Sequence, residues 1–378
     1  MTITRLLPRT LRWACGIAVA WTTATGWAAD GSTDCRIAFD LGSSGIRAGS
    51  TESTFEPRMD LDVLAAVNSR PGIDAVVPHT AVALRVLRTQ GRWPDCHGQV
   101  GVGFSAWRLS LQREPEDLIR ALRDIRRASG VSLLVASPAQ EGHYGYDGAQ
   151  RALGGQLGGR HVLDIGGGSL QVTSPQAVFG VPLGQKAWHR LLCQALGRGD
   201  VVPCALQPMS DAEVASARRL ADAQLQGLPQ ALGTPVNMTA ITRPVSRGVA
   251  PAVHQLRRTP TADTLARTDL GAAIEAWAGQ SGQALSAAAG LPPEHAGFLM
   301  SDMLLVEGLM RTARSDTLMV AEAEASNVRG ILADDRAYRW ADRYECYLDR
   351  LRTLGESAYA SDPGTCPGRA ARHHQKAR

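Results

Sequence analysis

The chain has 378 residues, of which 44% are hydrophobic and 20% charged, and its formal net charge is +4. This composition is typical of a soluble globular protein, and the length corresponds to about two domains of roughly 150 residues each. The charge is too small, and the eight tryptophans are too scattered, for a surface that binds DNA or RNA, so no nucleic-acid partner is expected.

The first 29 residues have the pattern of a signal peptide. A positive start is followed by an apolar stretch from 13 to 21 and then by small residues up to Ala28 and Ala29. We predict cleavage near these two alanines and a periplasmic or secreted protein; an anchor that stays attached is the alternative. The apolar stretch is too short for a stable span, so none is expected after cleavage. Removing the three arginines of this segment lowers the charge from +4 to +1.

The spacing of apolar residues predicts strands and helices along the rest of the chain. Strands are expected at 36–39, 99–104, 131–135, 170–173 and 317–320. Helices are expected at 80–89, 115–128 and 140–153, in much of the Ala-rich chain from 210, from about 327, and in a charged extension after 334. The uninterrupted apolar run at 131–135 is typical of a buried parallel strand.

The glycine-rich stretch 154–159 marks the expected joint between two domains. After it, residues 161–163 restart the strand-and-turn pattern that begins at Ile37, which indicates a weak internal repeat. We therefore predict an N-terminal α/β domain at 30–155 and a C-terminal α/β domain at 156–332. A helical extension with a flexible tail is expected at 333–378.

Six cysteines remain when Cys15 of the signal segment is set aside. An even number suggests disulfides in an oxidising compartment. No Cys-x-x-Cys occurs, which counts against a zinc site. Six cysteines allow many connectivities, and the simplest one by proximity pairs Cys35 with Cys96, Cys193 with Cys204, and Cys346 with Cys366.

Two glycine-rich turns carry the strongest functional signal. Residues 40–45 read Asp-Leu-Gly-Ser-Ser-Gly and residues 164–169 read Asp-Ile-Gly-Gly-Gly-Ser, each after a short apolar strand. Such turns expose backbone N–H groups that can hold phosphate oxygens. The leading Asp40 or Asp164 can hold a divalent cation or orient a water. One such turn is usually only a tight turn, but two that face each other can clamp a phosphate chain.

Four regions, in this order, resemble the exopolyphosphatase/guanosine-pentaphosphate phosphatase family, which belongs to the actin, hexokinase and sugar kinase superfamily. They are 40–44 with Arg47; 104–108, Phe-Ser-Ala-Trp-Arg; 137–144, Ser-Pro-Ala-Gln-Glu-Gly-His-Tyr; and 162–169, followed by Val-Pro-Leu-Gly at 181–184. The likeness spans roughly residues 35–332. It is weaker in the second half, where it rests on 232–234 and 326–330.

The resemblance implies two ribonuclease-H-like domains with a cleft between them and a Mg²⁺-dependent phosphohydrolase. Glu141 would be the general base for the attacking water, and Arg108 would neutralise the transferring phosphoryl group. The residues implied in Mg²⁺ binding are Asp40, Asp164 and Gln171, and Asp164 counts as catalytic as well. Phosphate would contact Gly42, Ser43, Ser44, Arg47, Gly166, Gly167, Gly168, Ser169, Gly233 and Thr234. Without the resemblance, Glu141 reads as an ordinary charge at a helix start and Arg108 as part of a surface ion pair.

The sequence departs from the family pattern at three places. Gln171 stands where the family has Glu, so one anionic metal ligand is lost. Ser44 and Gly45 replace Asn and Ser in the first turn, and Leu232 replaces the first glycine of the third loop. The first departure is expected to weaken Mg²⁺ binding, and the other two are expected to weaken phosphate binding.

Three functions follow from these residues. The first is an exopolyphosphatase that releases terminal phosphate from inorganic polyphosphate. The second is a binding module of the same fold with impaired hydrolysis, which would hold polyphosphate or a phosphorylated nucleotide. The third is hydrolysis of guanosine pentaphosphate, against which the predicted export counts because that nucleotide is cytoplasmic. A homodimer is left open.

The expected fold also makes a statement about Cys35 and Cys96 that is independent of function. Each cysteine comes just before a predicted strand. In this fold the two strands are parallel neighbours, so both cysteines lie at the same end of the sheet and within disulfide reach.

Overall fold

A computed structural model describes residues 35–93, 96–260, 262–291, 293–321 and 326–367. The predicted signal peptide, residues 1–29, and the last part of the predicted tail, residues 368–378, lie outside the described residues. Within the described ranges, no helix combines the length and the apolar character that crossing a membrane requires.

The N-terminal half forms a five-stranded mixed sheet in the order β3-β2-β1-β4-β5. Its strands are β1 (Arg36–Leu41), β2 (Gly45–Ser50), β3 (Arg58–Asp60), β4 (Gly98–Gly103) and β5 (Ser132–Val135). The helices of this half are α1 (Val63–Val67), α2 (Val77–Gly91), α3 (Ser105–Arg113), α4 (Pro115–Ser129) and α5 (Pro138–Leu153). Strand β5 is buried along its whole length and parallel to β4, as its apolar run predicts.

The second sheet has six strands in the order β10-β11-β9-β6-β7-β8. Its strands are β6 (His161–Ile165), β7 (Leu170–Thr173), β8 (Val178–Val181), β9 (Met238–Ala240), β10 (Thr264–Ala266) and β11 (Thr317–Val320). The helices are α6 (Gln185–Ala195), α7 (Asp211–Leu225), α8 (Leu228–Leu232), α9 (Ala250–Arg257), α10 (Arg267–Trp277), α11 (Gly282–Ala289) and α12 (Pro293–Thr312). A π-helical segment, Pro244–Val249, leads into α9.

Both sheets have the same central arrangement. In the first, β1 is antiparallel to β2 and parallel to β4; in the second, β6 is antiparallel to β7 and parallel to β9. The internal repeat indicated by residues 161–163 is therefore confirmed. Each glycine-rich turn follows the carboxyl end of a central strand, which is where open α/β sheets bind ligands.

Three C-terminal helices pack against the first sheet: α13 (Asn327–Ala333), α14 (Asp335–Asp342) and α15 (Tyr344–Leu354). The hydroxyl of Tyr347 accepts a hydrogen bond from Val135 N at 2.7 Å, and the hydroxyl of Tyr344 donates to Leu133 O at 2.9 Å. An edge strand carries unpaired backbone groups that invite association with other chains. The C-terminal helices thus cover the free edge of β5, and the predicted helical extension is a structural part of the N-terminal core.

All three predicted disulfides are present. The Cα–Cα distances are 4.4 Å for Cys35–Cys96, 6.3 Å for Cys193–Cys204 and 6.1 Å for Cys346–Cys366. The first pair joins the starts of β1 and β4, which are parallel neighbours as expected. The third ties residue 366 to α15, so the described part of the predicted tail is held in place; residue 366 is buried in the first core.

Candidate active site

The two glycine-rich turns have the same hydrogen-bond pattern and face each other. Gly42 N donates to Gly45 O at 3.0 Å, and Gly166 N donates to Ser169 O at 2.9 Å. Between the turns, a Cβ placed on Gly167 of the second turn would lie 3.3 Å from Ser43 Cβ of the first. The two glycine-rich turns therefore lie next to each other, as predicted.

Two glycines allow this close approach. A Cβ on Gly168 would lie 2.6 Å from Ser105 Oγ and 2.8 Å from Ser43 Oγ, so only glycine lets the two turns meet. A Cβ on Gly184 would lie 2.5 Å from Ser169 N. Gly184 caps α6, whose first N–H groups donate to carbonyls of the second turn; Gln185 N reaches Gly166 O at 2.9 Å. The start of helix α6 thus holds the second turn in place through hydrogen bonds to its carbonyl groups.

A cleft of about 710 Å³ opens between the two sheets above these turns. Most of the predicted site residues line it: Asp40, Gly42, Ser43, Ser44, Arg47, Glu141, Asp164, Gly166, Gly167 and Ser169. Further lining residues come from β3, from the π-helical segment and from α13, and include Arg58, Arg243, Arg247 and Asn327. The cleft is a mixed-charge site that is lined by both carboxylates and guanidinium groups.

Glu141 lies in the first turn of α5, which is capped by Ser137. Its carboxylate is 8% exposed and is held by three partners. Arg108 Nη1 lies 2.7 Å from Glu141 Oε2, Gln171 Nε2 donates to Oε2 at 2.9 Å, and Ser169 Oγ donates at 3.3 Å. Burial raises the pKa of Glu141 above its usual range, while the Arg108 charge and the hydrogen bonds from Arg108 and Ser169 lower it. The carboxylate is therefore fixed in orientation and kept ionisable inside the protein.

Two aspartates share this environment with Glu141. Burial raises the pKa of Asp40 from 3.8 to about 7; Arg47 lowers it, Glu141 and Asp164 raise it, and a hydrogen bond with Asn327 lowers it. Burial, followed by the charge of Glu141, raises the pKa of Asp164 from 3.8 to about 6. Three carboxylates that repel one another in a cleft favour a bound cation or retained protons.

The three carboxylates are better placed to bind a Mg²⁺ ion that keeps several waters than one coordinated entirely by protein atoms. Among the described residues, the carboxylates of Asp40, Glu141 and Asp164 do not form a set of three ligand atoms within 4.8 Å. Mg²⁺ usually keeps several waters and takes only one or two protein carboxylates. Asp40 and Asp164 are suited to hold such an ion directly or through its waters. Gln171 directs its Nε2 to Glu141 and Ser169, so only its carbonyl oxygen is free of these two bonds.

Arg47 and Gln171 occupy equivalent positions in the two hairpins but have different contacts. Asp40 lies opposite Arg47 in the β1–β2 pair, and Asp164 lies opposite Gln171 in the β6–β7 pair. The two positions are therefore equivalent in the repeat. The first carries a cation beside its aspartate, while the second carries an amide that bonds to Glu141 instead.

Several guanidinium groups lie close together in the cleft. Arg47 and Arg58 are directly opposite on β2 and β3, a pairing of like charges that is unfavourable unless anions lie nearby. Burial lowers the pKa of Arg243, and so do the neighbouring charges of Arg58, Arg47 and Arg247. Glu56 lies 3.8 Å from Arg47 through one carboxylate oxygen and 2.7 Å from Arg329 through the other. This cluster has the electrostatics of a site for a multiply charged anion.

No family model matches the sequence, and no curated protein matches it. Solved structures do match. A Ppx/GppA family member from Aquifex aeolicus superimposes with a TM-score of 0.60 at 15% identity, covering 79% of this chain and 96% of that one. An exopolyphosphatase from Cytophaga hutchinsonii gives 0.56 at 16% identity, covering 79% and 96%. An exopolyphosphatase-like protein gives 0.58 at 15%, covering 79% and 98%.

The chain has the two-domain α/β fold of the Ppx/GppA proteins. The predicted fold class, with a cleft between two ribonuclease-H-like halves, is thereby confirmed. At these identities the likeness concerns the fold, so the roles of individual residues depend on the geometry of the cleft.

Some predicted site residues do not line the cleft. Arg108 and Gln171 are buried behind Glu141, and Gly168 lies where the two turns touch. Gly233 and Thr234 are exposed between α8 and β9. Thr242, just beyond β9, does line the cleft, and its hydroxyl donates to Ile165 O at 2.7 Å beside the second turn.

Sequence reasoning missed the basic side of the cleft. Arg58, Arg243 and Arg247 belong to no motif, and they come together because β3 and the chain around the π-helical segment line the same cleft. A π-helical segment next to a site is a frequent functional feature, but it leaves no spacing signal in the sequence. Asn327 did have a signal, since residues 326–330 carry part of the family likeness.

The raised pKa values of Asp40 and Asp164 predict that the stabilisation of the protein by Mg²⁺ depends on pH. Asp40 and Asp164 bind protons more tightly in the native than in the unfolded protein, so without a divalent cation the free energy of unfolding falls as pH rises from about 4 to about 7. Asp40 alone accounts for about 2–4 kcal/mol of this loss. Mg²⁺ is expected to raise the melting temperature more at pH 8 than at pH 5, as measured by calorimetry with and without the metal.

Asp302 offers a matched control for this measurement. It is a buried cleft carboxyl whose pKa is raised by burial to about 8 despite a 2.6 Å hydrogen bond from Gln185. Asp40→Asn and Asp164→Asn should each remove most of the Mg²⁺ effect. Asp302→Asn should raise stability at neutral pH and leave the Mg²⁺ effect intact. Equal Mg²⁺ stabilisation in all three variants would contradict a metal site at the two aspartates.

Proposed function

We propose that the protein is a phosphohydrolase that releases terminal phosphate from inorganic polyphosphate. The observation that carries the proposal is the position of Glu141, a carboxylate fixed by Arg108 and Gln171 at the floor of a cleft. That cleft combines two phosphate-binding turns with a cluster of arginines. The fold shared with Ppx/GppA proteins supports the same function.

In the proposed reaction, the terminal phosphoryl group lies on the backbone of the two turns, and the following phosphates extend toward Arg47 and Arg58. Glu141 orients a water and accepts its proton while the water oxygen bonds to phosphorus. The bond from phosphorus to the bridging oxygen breaks, and the shortened chain leaves as an oxyanion stabilised by guanidinium groups. The products are orthophosphate and a chain one unit shorter. Mg²⁺ held by Asp40 and Asp164 would neutralise phosphate charge.

A second candidate, a binding module with impaired hydrolysis, is favoured by one observation. Gln171 replaces an acidic residue of the family and directs its amide to Glu141, so the metal site lacks one negative charge. The same hydrogen bond also argues for activity, because an amide donor keeps Glu141 ionised where a second carboxylate would raise its pKa. We therefore keep hydrolysis as the leading function.

The deciding experiment measures orthophosphate release by the purified protein with Mg²⁺. Its substrates are long-chain polyphosphate, guanosine pentaphosphate, and a phosphomonoester that has no anhydride bond. We expect turnover of polyphosphate with chains shortened from the end, and a lower rate for Gln171→Glu. Turnover of guanosine pentaphosphate alone would identify the third function. Binding without turnover, together with a gain of activity in Gln171→Glu, would establish the binding module.

We also propose that the protein acts in the periplasm or after secretion. The three disulfides support an oxidising compartment. The signal peptide at 1–29 and the domain limits at 30–155, 156–332 and 333–378 remain predictions from the sequence. N-terminal sequencing of the protein recovered from outside the cytoplasm tests the cleavage near Ala28 or Ala29.

A further inference from the structure

The cleft contains one lysine, Lys186, which the proposed reaction does not use. Of the 40 lysines and arginines in the chain, only Lys186 and Lys376 are lysines, and Lys376 lies outside the described residues. Lys186 belongs to no motif of the sequence, yet it lines the cleft at the start of α6, directly beside the second glycine-rich turn. In a chain that uses arginine almost everywhere else, a lysine at this position needs a physical reason.

The backbone and the side chain of Lys186 both lie against the second turn. Lys186 N donates to Gly167 O at 2.9 Å. A Cβ on Gly167 would lie 3.3 Å from Ser43 Cβ and 4.0 Å from Lys186 Cδ, so the aliphatic part of the lysine passes the point where the two turns meet. The ammonium group, two bonds beyond Cδ, is therefore close to the backbone on which a phosphate would lie.

In the structure this ammonium group is bound by Asp62, a residue that belongs to the first half of the chain. Lys186 Nζ donates to Asp62 Oδ2 at 2.6 Å. Asp62 is the N-cap of α1, and Leu64 of that helix donates from its backbone N to Ser43 O of the first turn at 3.1 Å. The ion pair therefore links the segment that supports one turn with the segment that supports the other.

This ion pair is too exposed to hold the lysine firmly. The side chain of Lys186 is 27% exposed and that of Asp62 is 47% exposed, and pairs of this kind contribute little because water screens them. A phosphate on the turns is a stronger acceptor, since it carries more charge and would lie inside the cleft. Among the described residues that line the cleft, Lys186 is included and Asp62 is not. A lysine that turns toward the anion therefore leaves its aspartate in solvent.

We propose that Lys186 is a mobile phosphate-binding residue, which is paired with Asp62 in this structure and moves to the phosphoryl group when a substrate binds. The inference rests on the proposed function in taking phosphate as the ligand of the turns. Lysine suits this exchange better than arginine, because its compact ammonium group has three rotatable donors on a flexible stem. A planar guanidinium group would hold the carboxylate through two parallel hydrogen bonds. Asp62 thus competes with the substrate for the lysine and lowers the affinity of the site for weakly charged anions.

The alternative is a latch, in which the ion pair stays formed and joins the two halves whether or not a ligand is bound. The two interpretations make opposite predictions for Asp62. If Lys186 is mobile, removing the charge of Asp62 frees the lysine and strengthens phosphate binding. If the pair is a latch, removing either partner loosens the two turns and weakens phosphate binding.

The first test measures equilibrium binding of orthophosphate, which the proposed reaction releases and cannot consume. Lys186→Met should weaken binding by roughly tenfold or more, because a hydrogen bond to a charged group is lost. Asp62→Asn should strengthen binding by about two- to fivefold, which is the worth of an exposed ion pair. Asparagine is an equally good N-cap, so the 3.0 Å bond from Ala65 N is kept. In the Lys186→Met background, Asp62→Asn should have no effect.

Asp74→Asn is the matched control for the loss of one negative charge and one exposed ion pair. Asp74 is 45% exposed and pairs with Arg120 at 2.8 Å, and neither residue lines the cleft. Asp74→Asn and Lys376→Met should both leave orthophosphate binding unchanged. The same gain of affinity in Asp74→Asn as in Asp62→Asn would show a general effect of net charge and would overturn the proposal.

The second test observes the lysine directly by NMR. A Lys376→Met protein that is labelled with ¹³C-lysine has a single lysine Cε signal, which comes from Lys186. Before orthophosphate is added, this signal should differ between the protein with Asp62 and its Asp62→Asn variant. At saturating orthophosphate the two signals should coincide, because the lysine has then left residue 62 in both proteins.

The proposal is overturned if the two signals stay different at saturation, or if orthophosphate does not move the Lys186 signal at all. Loss of affinity in both Lys186→Met and Asp62→Asn would establish the latch instead. A protein that binds orthophosphate as described but releases none from polyphosphate fails only the proposed hydrolysis. A protein that hydrolyses polyphosphate while its Lys186 signal stays fixed keeps the proposed function and fails only this inference.

Discussion

Replacing Glu141 by glutamine is expected to lower kcat for phosphate release by a factor of about 10²–10⁴, which is the usual contribution of a positioned general base. Glutamine preserves the size of the side chain and an oxygen that can accept from Arg108, but it cannot take the proton of the attacking water. Binding of polyphosphate should persist, because the turns and the arginines remain. The measurement is kcat and KM for phosphate release, with binding followed separately.

Glu307→Gln is a suitable control because it also removes a buried, arginine-paired carboxylate. Glu307 is held by Arg218 at 2.8 and 2.9 Å and by Arg311 at 3.1 Å, away from the cleft. The Glu307→Gln variant should be less stable than the wild type but should keep the wild-type kcat. Because burial raises the pKa of Glu141, the wild-type rate should rise with pH through that raised value. A Glu141→Gln variant with wild-type kcat would exclude Glu141 as the base.

In the first half, strands β1, β4 and β5 and helices α2, α4 and α5 could be predicted from the sequence because each has a strong local signal, whereas β2, β3, α1 and α3 were not predicted. Helix α4 is predicted at 115–128 and found at Pro115–Ser129, since a proline begins it and Gly130 in a left-handed conformation ends it. Strand β11 is found at the predicted 317–320. The packing of α14 and α15 on the first sheet could not be predicted, because it depends on contacts between residues more than 200 positions apart, such as Tyr347 with Val135.

Part of the candidate site could likewise be predicted from the sequence, and part could not. Asp40 and Asp164 each stand two residues before a glycine in the sequence, so a short motif is enough to identify them. The partners of Glu141 are distant in sequence, and no pattern indicates that Gln171 would bond to it. The cluster of arginines in the cleft is the clearest feature that the sequence did not predict. Charge clusters assembled from three separate segments have no periodicity, and the small net charge of the chain, +4, does not reveal them.

Replacing Arg108 by methionine is expected to lower the free energy of unfolding by about 3–5 kcal/mol at pH 8, because it leaves the Glu141 carboxylate buried without its cation. Arg108 also donates to Ala136 O at 3.1 Å, which would lose that bond. The pKa of Glu141 should rise further, so the native state would hold a proton that the unfolded state releases. The destabilisation should therefore be smaller at pH 5 than at pH 8, as chemical denaturation at the two pH values would show.

A double-mutant cycle separates the two roles that Arg108 can have. If its main function is to hold and neutralise Glu141, then Arg108→Met in the Glu141→Gln background should cost much less stability than in the wild type. The rise of activity with pH should also move to higher pH in Arg108→Met while KM stays close to normal. If Arg108 instead contacts the transferring phosphoryl group, as the family resemblance implies, kcat should fall at every pH and the cost in stability should be the same in both backgrounds. The 2.7 Å ion pair and the burial of both side chains favour the first result, which would make Arg108 a positioning residue for Glu141.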